Sequence, residues 1–195
     1  MVAPQKDGDR EVNLANRITI SRIVLVPLFV ACLLYYSPER PQLLPAALLI
    51  FLGACASDAA DGFLARRRNE KTELGSYIDP IADKLLLLSG FLSLSWMSNL
   101  PPGMHMPAWV TITVISRDIV IVAGSIVLFF TTGKLKPKPI FLGKLTTVVQ
   151  MATLTAALAT APAPARVFLD GATAAFTVWS GILYVHMGGQ MLQDS

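Results

Sequence analysis

Four aspartates stand close together in the chain, with apolar sequence on both sides of them. Their pattern, with the residues between them, is Asp58-x2-Asp61-Gly62-x2-Ala65-Arg66-x8-Gly75-x3-Asp79-x3-Asp83. An ionised aspartate at the centre of a bilayer costs roughly 2.5–3.5 kcal/mol even on insertion scales, so a cluster of four needs a partner that compensates the charge. Divalent cations are suitable partners because hard cations prefer carboxylate oxygens.

The spacing of the aspartates indicates how their carboxylates come together. Asp58 and Asp61 are three residues apart, and Asp79 and Asp83 are four apart, so each pair shares one face of a helix. The polar, basic segment 66–74 predicts a turn between two antiparallel helices, which would bring the two pairs together. Four carboxylates can hold two divalent ions about 3.5–4 Å apart, an arrangement that stabilises attacking and leaving oxygens in phosphoryl chemistry.

The composition indicates a protein embedded in a membrane. Hydrophobic residues make up 53% of the chain and charged residues only 15%, which is too apolar for an ordinary soluble domain. We predict an all-α polytopic membrane protein with six transmembrane helices in one domain, residues 18–190. Residues 1–17 precede it as a cytoplasmic segment with a short interfacial helix. The predicted spans are 18–36, 43–64, 76–96, 108–131, 141–161 and 167–186.

Basic residues predict the orientation of these helices. Lysines and arginines concentrate on one set of flanks, whereas the other set has only Arg40 and Arg166. Because cytoplasmic loops carry the excess of Lys and Arg, we expect an integral protein of the cytoplasmic membrane with both termini and the aspartate motif facing the cytoplasm. This topology accounts for the net charge of +3, and no basic patch interleaved with aromatic residues predicts nucleic-acid binding.

Three basic residues at membrane depth are candidates for binding a second phosphate. Arg117 in the fourth span can bind phosphate through its planar fork, and Lys144 at the start of the fifth span as a point charge. Arg22 in the first span is the third candidate, although its side chain could equally extend to the interface. Arg117 could instead pair with the adjacent Asp118 or with a motif carboxylate, and this alternative stays open.

The residues from Asp58 to Asp83 resemble the signature of the CDP-alcohol phosphatidyltransferase family. The resemblance implies transfer of a phosphatidyl group from CDP-diacylglycerol to an alcohol, with release of CMP. It also implies that Asp58, Asp61 and Asp79 bind two Mg²⁺ or Mn²⁺ ions, with Asp83 near the second ion and acting as general base. A homodimer is implied as well. The positions that the resemblance assigns to the CDP donor are Asp61, Gly62, Ala65, Arg66 and Gly75.

Other segments bear on the acceptor alcohol. Residues 13–22 are similar to the opening of the glycerol-lipid branch of the family, and 115–118 and 141–150 resemble its cardiolipin-forming members, which often have Ser at the place of Gly143. The resemblance therefore favours phosphatidylglycerol as the acceptor, giving cardiolipin, with glycerol 3-phosphate as the alternative. An ion or proton transporter would also use intramembrane acids, but it has no need of the glycines and arginine at these spacings.

Overall fold

A computed structural model describes residues 24–68, 73–132 and 141–193, with side chains throughout except at 58–68, 73–81, 129, 132 and 191–193. Within these ranges the chain is helical and contains no strand, which confirms the all-α class. Residues 1–17, predicted to be a cytoplasmic segment with an interfacial helix, and Arg22 lie outside the described residues. The elements are α1 (Val24–Leu34), α2 (Leu43–Arg68), α3 (Glu73–Trp96), a 3-10 turn (Pro102–Met104), α4 (Ala108–Thr132), α5 (Phe141–Leu158) and α6 (Ala163–Gln193).

Apolar helices of membrane-spanning length account for part of the predicted topology. In the described ranges, the segments Pro102–Leu128, Phe141–Leu158 and Ala163–Gln190 are long and apolar enough to cross a membrane, and Val24–Leu34 and Leu43–Ser57 are shorter apolar helices. These segments confirm part of the prediction of six membrane spans. Large apolar side chains are exposed along α4 and α6, an arrangement that suits a surface in contact with lipid rather than water.

The predicted turn after the second span is wrong in its bounds. Helix α2 continues to Arg68 and α3 begins at Glu73, so only residues 69–72 separate two helices where 66–74 was expected. Arginine is a good helix former, and a basic side chain is stabilised at the negative C-terminal end of a helix, which explains why α2 extends through its basic residues. The five Cα–Cα steps from Arg68 to Glu73 keep these helix ends within roughly 18 Å of each other.

The described helices divide into two compact units. The first contains α1, α2, α3 up to Ser93, and residues 97–100. Phe29 of α1 and Phe51 of α2 are fully buried there, with ring centroids 5.8 Å apart. Asn99 donates hydrogen bonds from Nδ2 to the carbonyls of Leu33, Leu34 and Tyr36 and so satisfies acceptors at the C-terminal end of α1.

The second unit contains residues 94–96 and everything from Pro101 onwards, and in it α6 packs against both α4 and α5. Buried polar side chains join α5 to α6. The hydroxyls of Thr153 and Thr173 are 2.7 Å apart, and Gln150 Nε2 donates to Thr177 Oγ1 at 3.2 Å. Because a polar group in an apolar interior must find a partner, these pairs fix which faces of the two helices meet.

A tight turn around Thr160 ends α5 and directs the chain into α6. The N–H of Ala161 donates to the carbonyl of Ala156 at 2.9 Å, and the N–H of Thr160 donates to the carbonyl of Ala157 at 3.1 Å. This is the Schellman pattern, which places its pivot residue in the left-handed region. Thr160 has φ 51° there, at a position where glycine is usual.

Arg166 in the first turn of α6 fastens the segment between α3 and α4. Its two Nη groups donate to the backbone carbonyls of Gly103 and His105. Asp170 lies one turn further along α6 and is 7% exposed. Arg166 is one of the two basic residues on the flanks predicted to face away from the cytoplasm. It therefore has a structural role as a donor to loop carbonyls.

Candidate active site

The aspartate motif is divided between two consecutive helices. Asp58 and Asp61 lie in the C-terminal half of α2, and Asp79 and Asp83 lie in the N-terminal half of α3. Residues three or four apart on a helix share a face, so each pair occupies a single face of its helix. Both pairs are close in sequence to the short connection at 69–72.

Asp83 is the motif aspartate whose side chain the structure describes, and it is half-buried. The side chains of the other three aspartates, of Ala65 and of Arg66, and the surroundings of Gly62 and Gly75, lie outside the described part. Among the side chains that are described, no three His, Cys, Asp or Glu residues form a group that could hold a metal. The assignment of metal and donor sites to the motif thus stays a prediction.

Arg117 is the best defined of the candidate phosphate-binding residues. It lies near the middle of α4, and its side chain is 11% exposed. Its Nη1 donates to Asp118 Oδ1 at 2.8 Å, and its Nη2 donates to Ser180 Oγ on α6 at 2.7 Å. The guanidinium carbon lies 5.6 Å from the ring centroid of Tyr184, one turn further along α6, within the range of a cation–π contact.

The contacts of Arg117 leave donors available to a ligand. The pairing with Asp118 that the sequence left open is present, but a guanidinium carries five N–H groups. Within the described residues, the Nε of Arg117 is buried and donates to no acceptor. A buried donor without an acceptor costs about 1–3 kcal/mol, so an incoming anionic oxygen would gain by accepting this hydrogen.

Two glycines lie against the side chains of the Arg117 cluster. A Cβ on Gly143 of α5 would lie 3.2 Å from Tyr184 Oη and 3.6 Å from Arg117 Nη2, and one on Gly181 of α6 would lie 3.4 Å from Arg117 Cγ. Small residues permit such approaches between membrane helices. Lys144 follows Gly143 in the first turn of α5 and is exposed, so its backbone position adjoins a residue that lies beside Arg117.

Comparison with known proteins settles the family. Residues 12–183 match the sequence model described as CDP-alcohol phosphatidyltransferase, which covers well over half of the chain. The chain belongs to the CDP-alcohol phosphatidyltransferase family. The signature from Asp58 to Asp83 falls inside the matched range, as do the Arg117 cluster and Lys144.

Similar members of the family come from several bacteria. A probable phosphatidylglycerophosphate synthase of Mycobacterium tuberculosis is 39% identical over 110 residues, which are 56% of this chain and 50% of that protein. A CDP-diacylglycerol–glycerol-3-phosphate 3-phosphatidyltransferase of Aquifex aeolicus is 32% identical over 137 residues, 70% of each chain. One of Escherichia coli is 36% identical over 118 residues, 58% of each. The chain spans about half the length of the M. tuberculosis relatives that it matches.

Sequence reasoning found Arg117 but not the residues that surround it in this family member. Ser180, Gly181 and Tyr184 are more than sixty positions away in the chain, and no spacing links them to Arg117. The available signal was a small polar residue with a glycine beside it, and a tyrosine one turn further along a largely apolar helix. Such a set indicates close packing in a membrane, but it does not identify the partner.

Proposed function

We propose that this protein transfers the phosphatidyl group of CDP-diacylglycerol to a hydroxyl of glycerol 3-phosphate, forming phosphatidylglycerophosphate and CMP. The observation that carries the proposal is the family's aspartate signature, divided between α2 and α3 on either side of four residues. The acceptor is taken from relatives that are named for glycerol 3-phosphate or phosphatidylglycerophosphate. They favour this alternative over phosphatidylglycerol, the acceptor preferred from sequence.

Asp83 is the proposed general base. Its carboxylate takes the proton of the acceptor hydroxyl, whose oxygen attacks the phosphorus that carries the diacylglycerol. The new P–O bond forms as the bond between that phosphorus and the oxygen of CMP breaks, and CMP leaves with the electron pair. A neutral hydroxyl is a poor nucleophile, so removal of this carboxylate should stop turnover without removing the donor site.

The donor set of the motif suits hard divalent cations. Carboxylate oxygens are the ligands that Mg²⁺ and Mn²⁺ prefer, and we propose that two such ions are held by Asp58, Asp61 and Asp79, with Asp83 near the second ion. When bound, the ions would neutralise the donor's pyrophosphate and the charge that develops on CMP. The CDP moiety would be bound by the positions that the signature specifies, which are Asp61, Gly62, Ala65, Arg66 and Gly75.

The acceptor's phosphate is proposed to bind at Arg117. Its guanidinium is largely buried, carries a donor without an acceptor, and matches the geometry of phosphate oxygens. Lys144 and Arg22 are proposed as further basic groups for the same phosphate. On the basis of the sequence, we also propose that the protein forms a homodimer. Both termini and the site are proposed to face the cytoplasm.

The test is an assay of the purified protein with CDP-diacylglycerol and Mg²⁺, offering glycerol 3-phosphate and phosphatidylglycerol separately and measuring CMP. We expect CMP with glycerol 3-phosphate, and its loss on adding EDTA. CMP with phosphatidylglycerol alone, together with a product of four acyl chains, would show a cardiolipin synthase instead. CMP with neither acceptor would contradict the proposed activity.

A pair of variants tests the role of Asp83. Asp83→Asn should release no CMP while still binding CDP-diacylglycerol, because the amide cannot take a proton. Asp170→Asn is the matched control, since Asp170 is also an acidic residue in an apolar helix but lies outside the signature. Wild-type turnover by Asp83→Asn would remove this residue from the mechanism.

A further inference from the structure

We infer that Tyr184 is a positioning residue that holds the Arg117 guanidinium in place for the acceptor's phosphate. The inference deepens the proposed function and rests on it. The ligand chemistry is a phosphate oxygen carrying negative charge, which both glycerol 3-phosphate and phosphatidylglycerol possess. Tyr184 touches Arg117 rather than the substrate, so its effect reaches the reaction only through that side chain.

Contacts from α4 and α6 hold the Arg117 side chain in place. Asp118 on its own helix and Ser180 on α6 accept hydrogen bonds from its two Nη atoms, and the ring of Tyr184 covers the guanidinium at 5.6 Å. An unrestrained arginine loses side-chain entropy when it binds an anion. Contacts that already hold the planar group reduce that loss, and the ring does so without using an N–H that the phosphate needs.

Gly143 of α5 lies beside the tip of the Tyr184 ring. The hydroxyl oxygen of Tyr184 lies 3.2 Å from where a Cβ on Gly143 would be, and Cε2 lies 3.4 Å from it. The absence of a side chain at this position therefore leaves room for the tyrosine beside the guanidinium, whose Nη2 lies 3.6 Å from the same point. A Cβ here would require the ring tip to shift by a few tenths of an ångström, on the side where the ring meets Arg117. Gly143 and Tyr184 act as a small and a large partner that are matched in size.

One N–H of the Arg117 side chain remains available to a ligand. The Nε of Arg117 is buried and donates to no acceptor among the described residues, although Asp118 and Ser180 engage the other two nitrogens. An arginine held only for structural reasons would gain from an acceptor at every buried nitrogen. A phosphate oxygen supplies that acceptor, and Arg binds phosphate through pairs of N–H groups.

The experiment measures KM for each substrate and kcat in wild type, Tyr184→Leu and Tyr184→Phe, with either acceptor. We expect Tyr184→Leu to raise the acceptor KM about fivefold or more, the size of effect that a largely buried cation–π contact provides. The KM for CDP-diacylglycerol should stay within twofold. Tyr184→Phe keeps the ring and should restore the acceptor KM. Phe168→Leu is the control for loss of an aromatic ring from α6, because Phe168 is 74% exposed.

Gly143→Ala is a second, milder test, since its Cβ would shift the ring tip by a few tenths of an ångström while leaving Tyr184 in the sequence. It should raise the acceptor KM by less than Tyr184→Leu does and leave the donor KM unchanged. In Tyr184→Leu, a fall in kcat alone, or an equal rise in the KM for donor and acceptor, would show a merely structural role and overturn the inference. The activity of the wild-type protein would still support the proposed function in that case. CMP from neither acceptor in wild type would overturn the proposed function and this inference together.

Discussion

Asn99 provides the sharpest test of how the first unit is held together. Its side-chain amide donates to the carbonyls of Leu33, Leu34 and Tyr36 at 2.8, 3.3 and 3.1 Å. Carbonyls at the end of a helix have no donors within the helix, and here one side chain from the segment after α3 supplies them. Replacing Asn99 should therefore loosen the end of α1 without disturbing the core.

The magnitude follows from the number of hydrogens. Asn99 has two N–H groups shared among three carbonyls, and each net hydrogen bond contributes about 0.5–1.5 kcal/mol. Because Asn99 is exposed and water can replace part of the interaction, we expect Asn99→Ala to cost about 1–2 kcal/mol. Asn99→Asp should cost more, because a carboxylate has no N–H and would face both the carbonyls and the negative end of α1, a further 0.3–1 kcal/mol or so.

The assay is thermal unfolding in detergent micelles, followed by circular dichroism. Wild type should be the most stable, then Asn99→Ala, then Asn99→Asp, with midpoints lower by roughly 2–4 °C per kcal/mol for a chain of this length. Ser98→Ala is the control, because Ser98 is the adjacent exposed polar residue. If Asn99→Asp, the closer match in shape, were more stable than Asn99→Ala, the proposed hydrogen bonding would be refuted.

Four other substitutions test the second unit. Thr160→Gly should raise its stability by about 1 kcal/mol, because glycine adopts the left-handed φ of the α5–α6 turn without strain; a lower unfolding midpoint would contradict this. Thr153→Val and Thr173→Val should each destabilise by about 1 kcal/mol, and the double variant by less than their sum, since both remove one hydroxyl pair. Arg166→Gln should speed proteolysis of the segment before α4, and an unchanged cleavage rate would show that the arginine does not fasten it.

Helix bounds were predictable where a change in hydropathy coincides with the end of a helix. The predicted starts at Leu43, Ala108 and Phe141 and the end at Trp96 agree with the structure. Helix α6 extends beyond its predicted bounds at both ends, since it covers 163–193 where 167–186 was predicted. Hydropathy reports depth in a membrane, and helical hydrogen bonding continues into polar sequence beyond it. The same reason explains why α2 runs to Arg68.

The candidate site was predictable where the chemistry is local in sequence. A charge at membrane depth drew attention to Arg117, and its pairing with the adjacent Asp118 was one of the alternatives that the sequence left open. The contacts with Ser180 and Tyr184 depend on how α4, α5 and α6 pack, and packing is decided by glycines whose partners are far away in the chain. A single sequence shows that Gly143 is small, but only the structure shows that a tyrosine fills the space beside it.

The polar contacts between α5 and α6 have a consequence for how the protein enters the membrane. Alone in lipid, α5 would leave the Gln150 amide without its partner Thr177 on the next helix, while Thr153 would keep only its hydrogen bond to the carbonyl of Val149. Lipid offers neither donor nor acceptor in exchange, so insertion of α5 by itself is disfavoured. The short turn at 159–162 lets the two helices leave the translocon as one hairpin with these groups already paired. Integration of α5 would then wait for synthesis of α6.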